Sequence, residues 1–206
     1  MWLFKSPNKR ASVYLVDDDA LSIEVLKDYL QKKFADRIDL SSFDSGETCL
    51  AQFKGKLPDV VFLDYNLNSK GSGTDNGLRI LSEIRDVDPE IEVVMLSGQQ
   101  NIDVAVEAMK RGARDYIVKG ETASFRAEQY LIKYFKAKEQ NDKLADYKRG
   151  FQLIMILQIL IIMLSIGIYF SQESAQRNSM IILGGIAISA LIFFVYIRMK
   201  SISILN

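Results

Sequence analysis

Short apolar runs alternate along the chain with longer stretches whose apolar residues recur every three or four positions. "SVYLV" (12–16) precedes Leu21 to Phe34, "IDLSSF" (38–43) precedes Gly46 to Lys54, and "DVVFL" (59–63) precedes Gly77 to Asp86. "EVVML" (92–96) then precedes Ile102 to Arg111, and "DYIV" (115–118) precedes a helix that begins near Ser124. The short runs fit buried strands and the longer periodic stretches fit helices. Strict alternation requires right-handed crossovers and gives a parallel sheet covered on both faces. The predicted class is a doubly wound α/β domain. Asp44 and Glu47 have the spacing of a capping box, Gly112 stands where a helix should end, and Pro58 and Pro89 precede strands.

From Ser124 to Arg149 the pattern predicts one long helix, with Phe125, Tyr130, Leu131, Tyr134 and Phe135 at spacings of three and four. Its first half can cover the sheet. Beyond Phe135 the apolar stripe thins to Leu144 and Tyr147, which suits a solvated stalk or the weak seam of a homodimer.

"FQLIMILQILIIMLSIGIYF" (151–170) follows without a single charge. At about 1.5 Å per residue such a run reaches roughly 30 Å, the hydrocarbon thickness of a bilayer. After the polar loop "SQESAQRNS" comes a second uncharged run, "MIILGGIAISALIFFVYI" (180–197). Two such runs predict a transmembrane hairpin, because burying them in a soluble protein would take a much larger domain. Gly185 and Ser189 have a small-xxx-small spacing that lets helices approach closely. Lys143, Lys148 and Arg149 precede the first span and Arg198 and Lys200 follow the second, so the positive-inside rule places both termini in the cytoplasm. The predicted organisation is an N-terminal segment (1–10), an α/β core (11–123), a last helix running into a basic linker (124–149) and a membrane hairpin (150–206).

Charge sharpens this division. Residues 1–125 carry 16 Lys/Arg against 21 Asp/Glu, residues 126–149 carry 7 against 4, and residues 150–206 carry 3 against 1. A mildly acidic front domain is a poor match for a phosphate backbone, so nucleic acid is not an expected partner. Cys49 is the only cysteine, which excludes a disulfide framework or a zinc cluster built from this chain. The chain has no histidine, the commonest general base and nitrogen ligand. Its chemistry must therefore rest on oxygen ligands. "MWLFKSPNKR" is too short and too early in charge for a secretory signal; Trp2, Leu3 and Phe4 are expected to pack on the domain rather than dip into a membrane interface.

In an open parallel sheet, ligands sit beyond the carboxyl ends of the strands where strand order reverses. Asp17 and Asp18 end the first predicted strand, Asp64 the third, Ser97 the fourth and Lys119 the fifth. Each alone has a local explanation as a cap, a turn residue or a surface charge. Together they form a set in which three carboxylates can hold a hard divalent cation such as Mg²⁺. A hydroxyl and an ammonium can receive an anion, and one carboxylate is left to react. Neighbouring carboxylates repel strongly near a low-dielectric interior, so the set asks for a cation.

The segments "VYLVDDDA", "DVVFLDYNL", "NGLRIL", "VVMLSGQ" and "GARDYIVKG", in that order, resemble the receiver domain of bacterial response regulators over about residues 11–135. The resemblance implies a flavodoxin-like sheet of order 2-1-3-4-5 and a phospho-acceptor in two-component signalling, not an enzyme acting on other substrates. It makes Asp64 the nucleophile toward a phosphohistidine. Asp18, Asp64 and the backbone carbonyl of Asn66 would bind Mg²⁺, and Asp17 would act partly through water. Lys119 would pair with the phosphoryl group, Ser97 would hydrogen-bond it, and Tyr116 would switch rotamer. The donor histidine cannot lie in this chain, so a histidine kinase or phosphotransfer protein in trans, or a small phosphodonor, is required. The location implied is the cytoplasmic membrane of a bacterium.

Two departures from the family pattern stand out. No proline follows the acceptor or the lysine, since Leu67 is followed by Asn68 and Lys119 by Gly120. The segment "YNLNSKGSGTDN" is also several residues longer than usual, and its glycines predict a mobile loop. The alternative function is a pseudo-receiver acting as a membrane-tethered scaffold. A dehalogenase-like phosphohydrolase lacks its second aspartate, because Asn66 stands two residues after Asp64. A flavin binder would not put three aspartates in its phosphate loop.

Overall fold

The structure is a computed structural model that describes residues 10–67, 76–98 and 102–171, with 184, 185, 190, 193 and 194. The segment 1–9, most of the long stretch after Asp64 and most of the second predicted span lie outside the described residues. The chain divides into two compact units, Met1–Ala137 and Lys138–Asn206.

In the first unit the order is β1 (Ala11–Val16), α1 (Ala20–Phe34), β2 (Ile38–Phe43), α2 (Gly46–Gln52), β3 (Val60–Asp64), α3 (Asn76–Val87), β4 (Glu92–Ser97), α4 (Ile102–Lys110) and β5 (Asp115–Val118). α5 (Ala123–Ser171) then begins in this unit. The five strands form one parallel sheet of order β2-β1-β3-β4-β5, as expected from the alternation. β1 and β3 are buried at every position, the mark of central strands covered on both sides.

Side chains of each strand alternate between two cores. On one face Tyr14, Val16, Val61, Leu63, Val93 and Met95 pack with Cys49 of α2, Leu81 and Ile84 of α3 and Ala108 of α4. On the other, Val13, Leu15, Phe62, Val94, Leu96 and Ile117 pack with Leu26, Leu30 and Phe34 of α1 and Ala127, Leu131 and Phe135 of α5. The four-residue spacing of the α5 contacts is that of a single helix face. Tyrosine hydroxyls tie the same region to acids: Tyr130 donates to Glu92 Oε2 at 2.5 Å, Tyr134 to Asp59 Oδ1 at 3.0 Å, and Tyr29 of α1 to Glu128 of α5 at 2.5 Å.

Gly112 ends α4 as expected. Its φ is +95°, its N–H donates to Met109 O at 3.0 Å, and the Ala113 N–H reaches Ala108 O at 2.9 Å. The capping expectation for α2 is corrected by one residue. Ser45, not Asp44, is the N-cap and accepts from the Thr48 N–H at 3.3 Å, because its backbone is extended where the helix begins. The Asp44 carboxylate instead accepts from the Thr48 hydroxyl at 3.4 Å.

Cys49 is fully buried, and burial pushes its thiol up to about 12. Alkylation by iodoacetamide at pH 8 is expected to be negligible in the native protein and complete once denaturant unfolds it, since only the thiolate reacts. A mass shift on the native chain would contradict this burial.

In the second unit, residues 138–171 are helical throughout, so Gly150 does not separate a linker helix from the apolar run. One glycine costs a helix interior only about 1 kcal/mol, and no proline stands nearby to break it. Leu153, Ile156, Leu157, Ile159, Leu160, Met163 and Leu164 are all exposed. Among the described residues this one helix is long and apolar enough to cross a membrane by length and composition, and none of its apolar window is buried. Ser165 donates to Ile161 O at 2.8 Å, and a Cβ placed on Gly185 would lie 3.6 Å from Ser165 Oγ.

Candidate functional site

The parallel sheet delivers the predicted residues to one edge because all five strands run the same way. β1 ends at Val16, and the three aspartates behind it take separate tasks. Asp17 turns inward and is 4% exposed, and its Oδ1 accepts from the Asp19 N–H at 3.0 Å. Asp18 is exposed. Asp19 caps α1, accepting from the Leu21 N–H at 3.1 Å and the Ser22 hydroxyl at 2.7 Å. Asp64 ends β3 at 2% exposed, Ser97 ends β4 fully buried, and Lys119 follows β5.

Lys119 Nζ lies 2.7 Å from Asp17 Oδ2 and 2.8 Å from Asp64 Oδ1, so the residue after β5 reaches the ends of β1 and β3, neither of which neighbours β5. Its backbone N–H donates to Ser97 O at 2.7 Å, which fixes the loop after β5 to the end of β4. Burial works against the Lys119 charge, but the Asp17 and Asp64 carboxylates outweigh it and hold the ammonium above its ordinary range. Burial pushes Asp64 up, with the Asp17 charge adding to it; the Lys119 ammonium and an Asn66 backbone N–H oppose this without cancelling it.

One carboxylate oxygen from each of Asp17, Asp18 and Asp64 falls within 4.8 Å of the others. Octahedral Mg²⁺ holds oxygens at about 2.0–2.1 Å, so ligands on opposite sides are about 4.2 Å apart. The acidic set, with separations of up to 4.8 Å, gathers hard oxygens that could hold a cation retaining several waters. Asp64 supplies a second argument, since it is a buried carboxylate raised even in the presence of its lysine.

Asn66 stands in the exposed turn after Asp64. Tyr116 is paired with Met95 in the β4–β5 ladder and packs, partly buried, against the α3–α4 side of the core.

One residue of the site was not singled out by its chemistry. Gly77 opens α3 with its N–H donating to Tyr65 O at 3.2 Å. A Cβ there would lie 2.4 Å from Asp64 O and 2.7 Å from Tyr65 Cα, so only glycine lets α3 approach the end of β3. The signal in the sequence was the glycine of "NGLRIL" at the predicted helix start.

The chain is 42% identical over 83 residues to the nitrogen assimilation regulatory protein NtrX of Azorhizobium caulinodans, covering 40% of this chain and 17% of that protein. It is 32% identical over 111 residues to the DNA-binding transcriptional regulator NtrC of Salmonella typhimurium, covering 54% and 22%. The chain thus spans only about a fifth of the length of these curated relatives. Among solved structures, NtrX from Brucella abortus superposes with a TM-score of 0.55 at 31% identity, over 66% of this chain and 30% of that one. A CheY-like receiver domain protein from Methanospirillum hungatei matches at a TM-score of 0.52 and 18% identity over 66% and 98%, which bears on the fold alone. Residues 13–125, more than half of the chain, match the model of the response regulator receiver domain, and the chain belongs to that family.

Proposed function

We propose that Asp64 accepts a phosphoryl group from the phosphohistidine of a separate histidine kinase or phosphotransfer protein, at the cytoplasmic face of a bacterial membrane. The observation that carries this reading is the Lys119 ammonium held 2.8 Å from a buried Asp64 and 2.7 Å from Asp17. Phosphoryl transfer needs positioning and charge neutralisation more than a strong base, and these groups supply both without a histidine.

Asp18 and Asp64, with the Asn66 carbonyl, would hold Mg²⁺ directly, and Asp17 would reach it partly through water. Bound there, the ion would neutralise charge on the incoming phosphoryl oxygens. Lys119 would meet the phosphoryl group as a point charge, leaving its ion pair with Asp64 as that carboxylate becomes an acyl phosphate. Ser97 would donate its hydroxyl to a phosphoryl oxygen, and Tyr116 would change rotamer as the Ser97 loop moves inward. The new contacts would favour one of two arrangements of the β4–β5 side and so alter a face read by a partner protein or another copy. Against the scaffold alternative stand the complete acidic set and the lysine, all present among the described residues.

The apolar tail would hold this response at the bilayer. The uncharged run 151–170, its exposed leucines and isoleucines, and the approach of Gly185 to Ser165 all support a hairpin. The full chain should stay with membranes through alkaline carbonate extraction, whereas a chain lacking residues 150–206 should move to the supernatant. Release of the full chain would remove the anchor from the reading.

The central test is phosphoryl uptake by the full chain in lipid nanodiscs, with mass spectrometry to place the label. Incorporation on Asp64 that is abolished by EDTA and restored by Mg²⁺ is expected. Incorporation elsewhere, or equal incorporation in EDTA, would overturn the assignment.

A further inference from the structure

α5 enters its apolar run through a narrow band of charge. Lys148 and Arg149 are exposed immediately before Gly150, and Tyr147 beside them is 46% exposed. Further up the helix Lys143 pairs with Glu139 at 2.9 Å. Arg149 lies 3.3 Å from Asp146, yet its side chain stays 72% exposed. Among the described residues Lys148 has no acidic partner. A Cβ added at Gly150 would meet nothing within 4 Å, so there is open space just below both cations. Leu153, Ile156 and Leu157, all exposed, come next along the helix.

The second apolar run ends in the same way, since Arg198 and Lys200 follow it with no Asp or Glu from there to Asn206. A Cβ on Gly185 would lie 3.6 Å from Ser165 Oγ, which sets the level of one run against the other. From Ser165 back to Arg149 the helix spans about 24 Å, and a helix from Gly185 on to Lys200 would span about 22 Å, so in a hairpin the two pairs of cations stand within a turn of one level. Four cations then face one acid, Asp146. Between the runs, "SQESAQRNS" carries only Glu173 and Arg177, which cancel.

We propose that Lys148, Arg149, Arg198 and Lys200 form a basic collar that binds the headgroups of anionic phospholipids in preference to zwitterionic ones. The inference rests on the apolar tail being a membrane hairpin. A phosphodiester on two acyl chains matches the order of groups along α5: its charge meets Lys148 and Arg149, and its chains lie on Leu153, Ile156 and Leu157. Tyr147 and Phe151 bracket the cations with aromatic rings, which favour the headgroup level. A zwitterionic headgroup brings its own cation to the collar and loses most of the attraction. Free phosphate has no chains to cover the apolar residues. Each basic residue near an anionic surface strengthens binding by about fivefold, so a few uncompensated cations suffice for selection.

The test offers the full chain, purified in neutral detergent, equal amounts of phosphatidylglycerol and phosphatidylcholine with the same acyl chains, and counts bound lipids by native mass spectrometry. Phosphatidylglycerol is expected to be retained about tenfold over phosphatidylcholine, with the ratio falling as salt screens the charges. Lys148→Gln, Arg198→Gln and Lys200→Gln combined should bring the ratio near one. Lys143→Gln, at a cation already paired with Glu139, should leave it unchanged. Equal retention of the two lipids by the unmodified chain overturns the proposal while leaving the hairpin in place. A preference that survives the triple variant, or that Lys143→Gln lowers as much, overturns the assignment to the collar. A full chain that stays in solution without detergent and binds neither lipid overturns the hairpin reading as well.

Discussion

Asp64→Asn is expected to take up no phosphoryl group and, without Mg²⁺, to melt at a higher temperature than the unmodified protein. The first effect follows from chemistry, because a carboxamide oxygen carries no charge and is a poor nucleophile toward phosphorus. The second follows from burial. Asp64 is 2% exposed, and burial raises its carboxyl above the ordinary value despite the nearby ammonium. Between the unfolded and the folded titration ranges the native state therefore holds more protons than the unfolded state. The contribution of Asp64 to stability is fully present below the unfolded value of about 3.8 and is lost as pH rises through the folded value.

The amide escapes that loss, so its advantage should grow across this window and level off above it. A gain of about 1–2 kcal/mol at pH 7 is expected, within the usual size of buried-charge effects. Adding Mg²⁺ should narrow the gap, since an ion that binds only the folded carboxylate form raises the stability of the unmodified chain alone. Thermal melts at pH 4 and pH 7, with and without Mg²⁺, check the sign. A lower melting temperature for the variant at pH 7 would mean that the Lys119 pairing outweighs the burial of Asp64.

Gly77→Ala should cost about 3 kcal/mol or more, large for a single added methyl group. The methyl would collide with backbone atoms, Asp64 O at 2.4 Å and Tyr65 Cα at 2.7 Å, which cannot rotate away as a side chain could. Either α3 retreats and loses the hydrogen bond from Gly77 to Tyr65 O, or the end of β3 shifts and carries Asp64 with it. Phosphoryl uptake should fall together with stability. Gly98→Ala is the control, because a Cβ there meets nothing within 4 Å, and a change within about 0.5 kcal/mol is expected. Urea unfolding midpoints of the two variants separate them. Similar midpoints would show that the approach of α3 to β3 is looser than these distances.

Much of the architecture was legible because it rests on periodicity. Alternating apolar runs and helical stripes specify a parallel sheet, since each pattern can bury its apolar face in only one way. "SVYLV" and "DVVFL" became β1 and β3 within one residue of the expected bounds. The helix end at Gly112 was legible for a local reason, the αL backbone that glycine alone adopts cheaply. The cap of α2 was misplaced by one residue because Asp44 and Ser45 are adjacent and both suit an N-cap. Backbone conformation chose between them. The continuity of α5 through Gly150 was also hidden, since glycine marks either a break or a tolerated cost.

The sequence by itself determined which chemical groups this protein owns and that they fall at strand ends: Asp17, Asp18, Asp64, Ser97 and Lys119, with no histidine among them. Only the tertiary structure decided that Asp19 turns away to cap α1 and that Lys119 reaches both Asp17 and Asp64. It also decided that α3 presses against the backbone of Asp64 and Tyr65 and that a cavity opens beside the lysine. Periodicity is a property of neighbours along the chain, readable one window at a time. Distances between the ends of β1, β3 and β5 depend on strand order and twist, which join residues far apart in sequence.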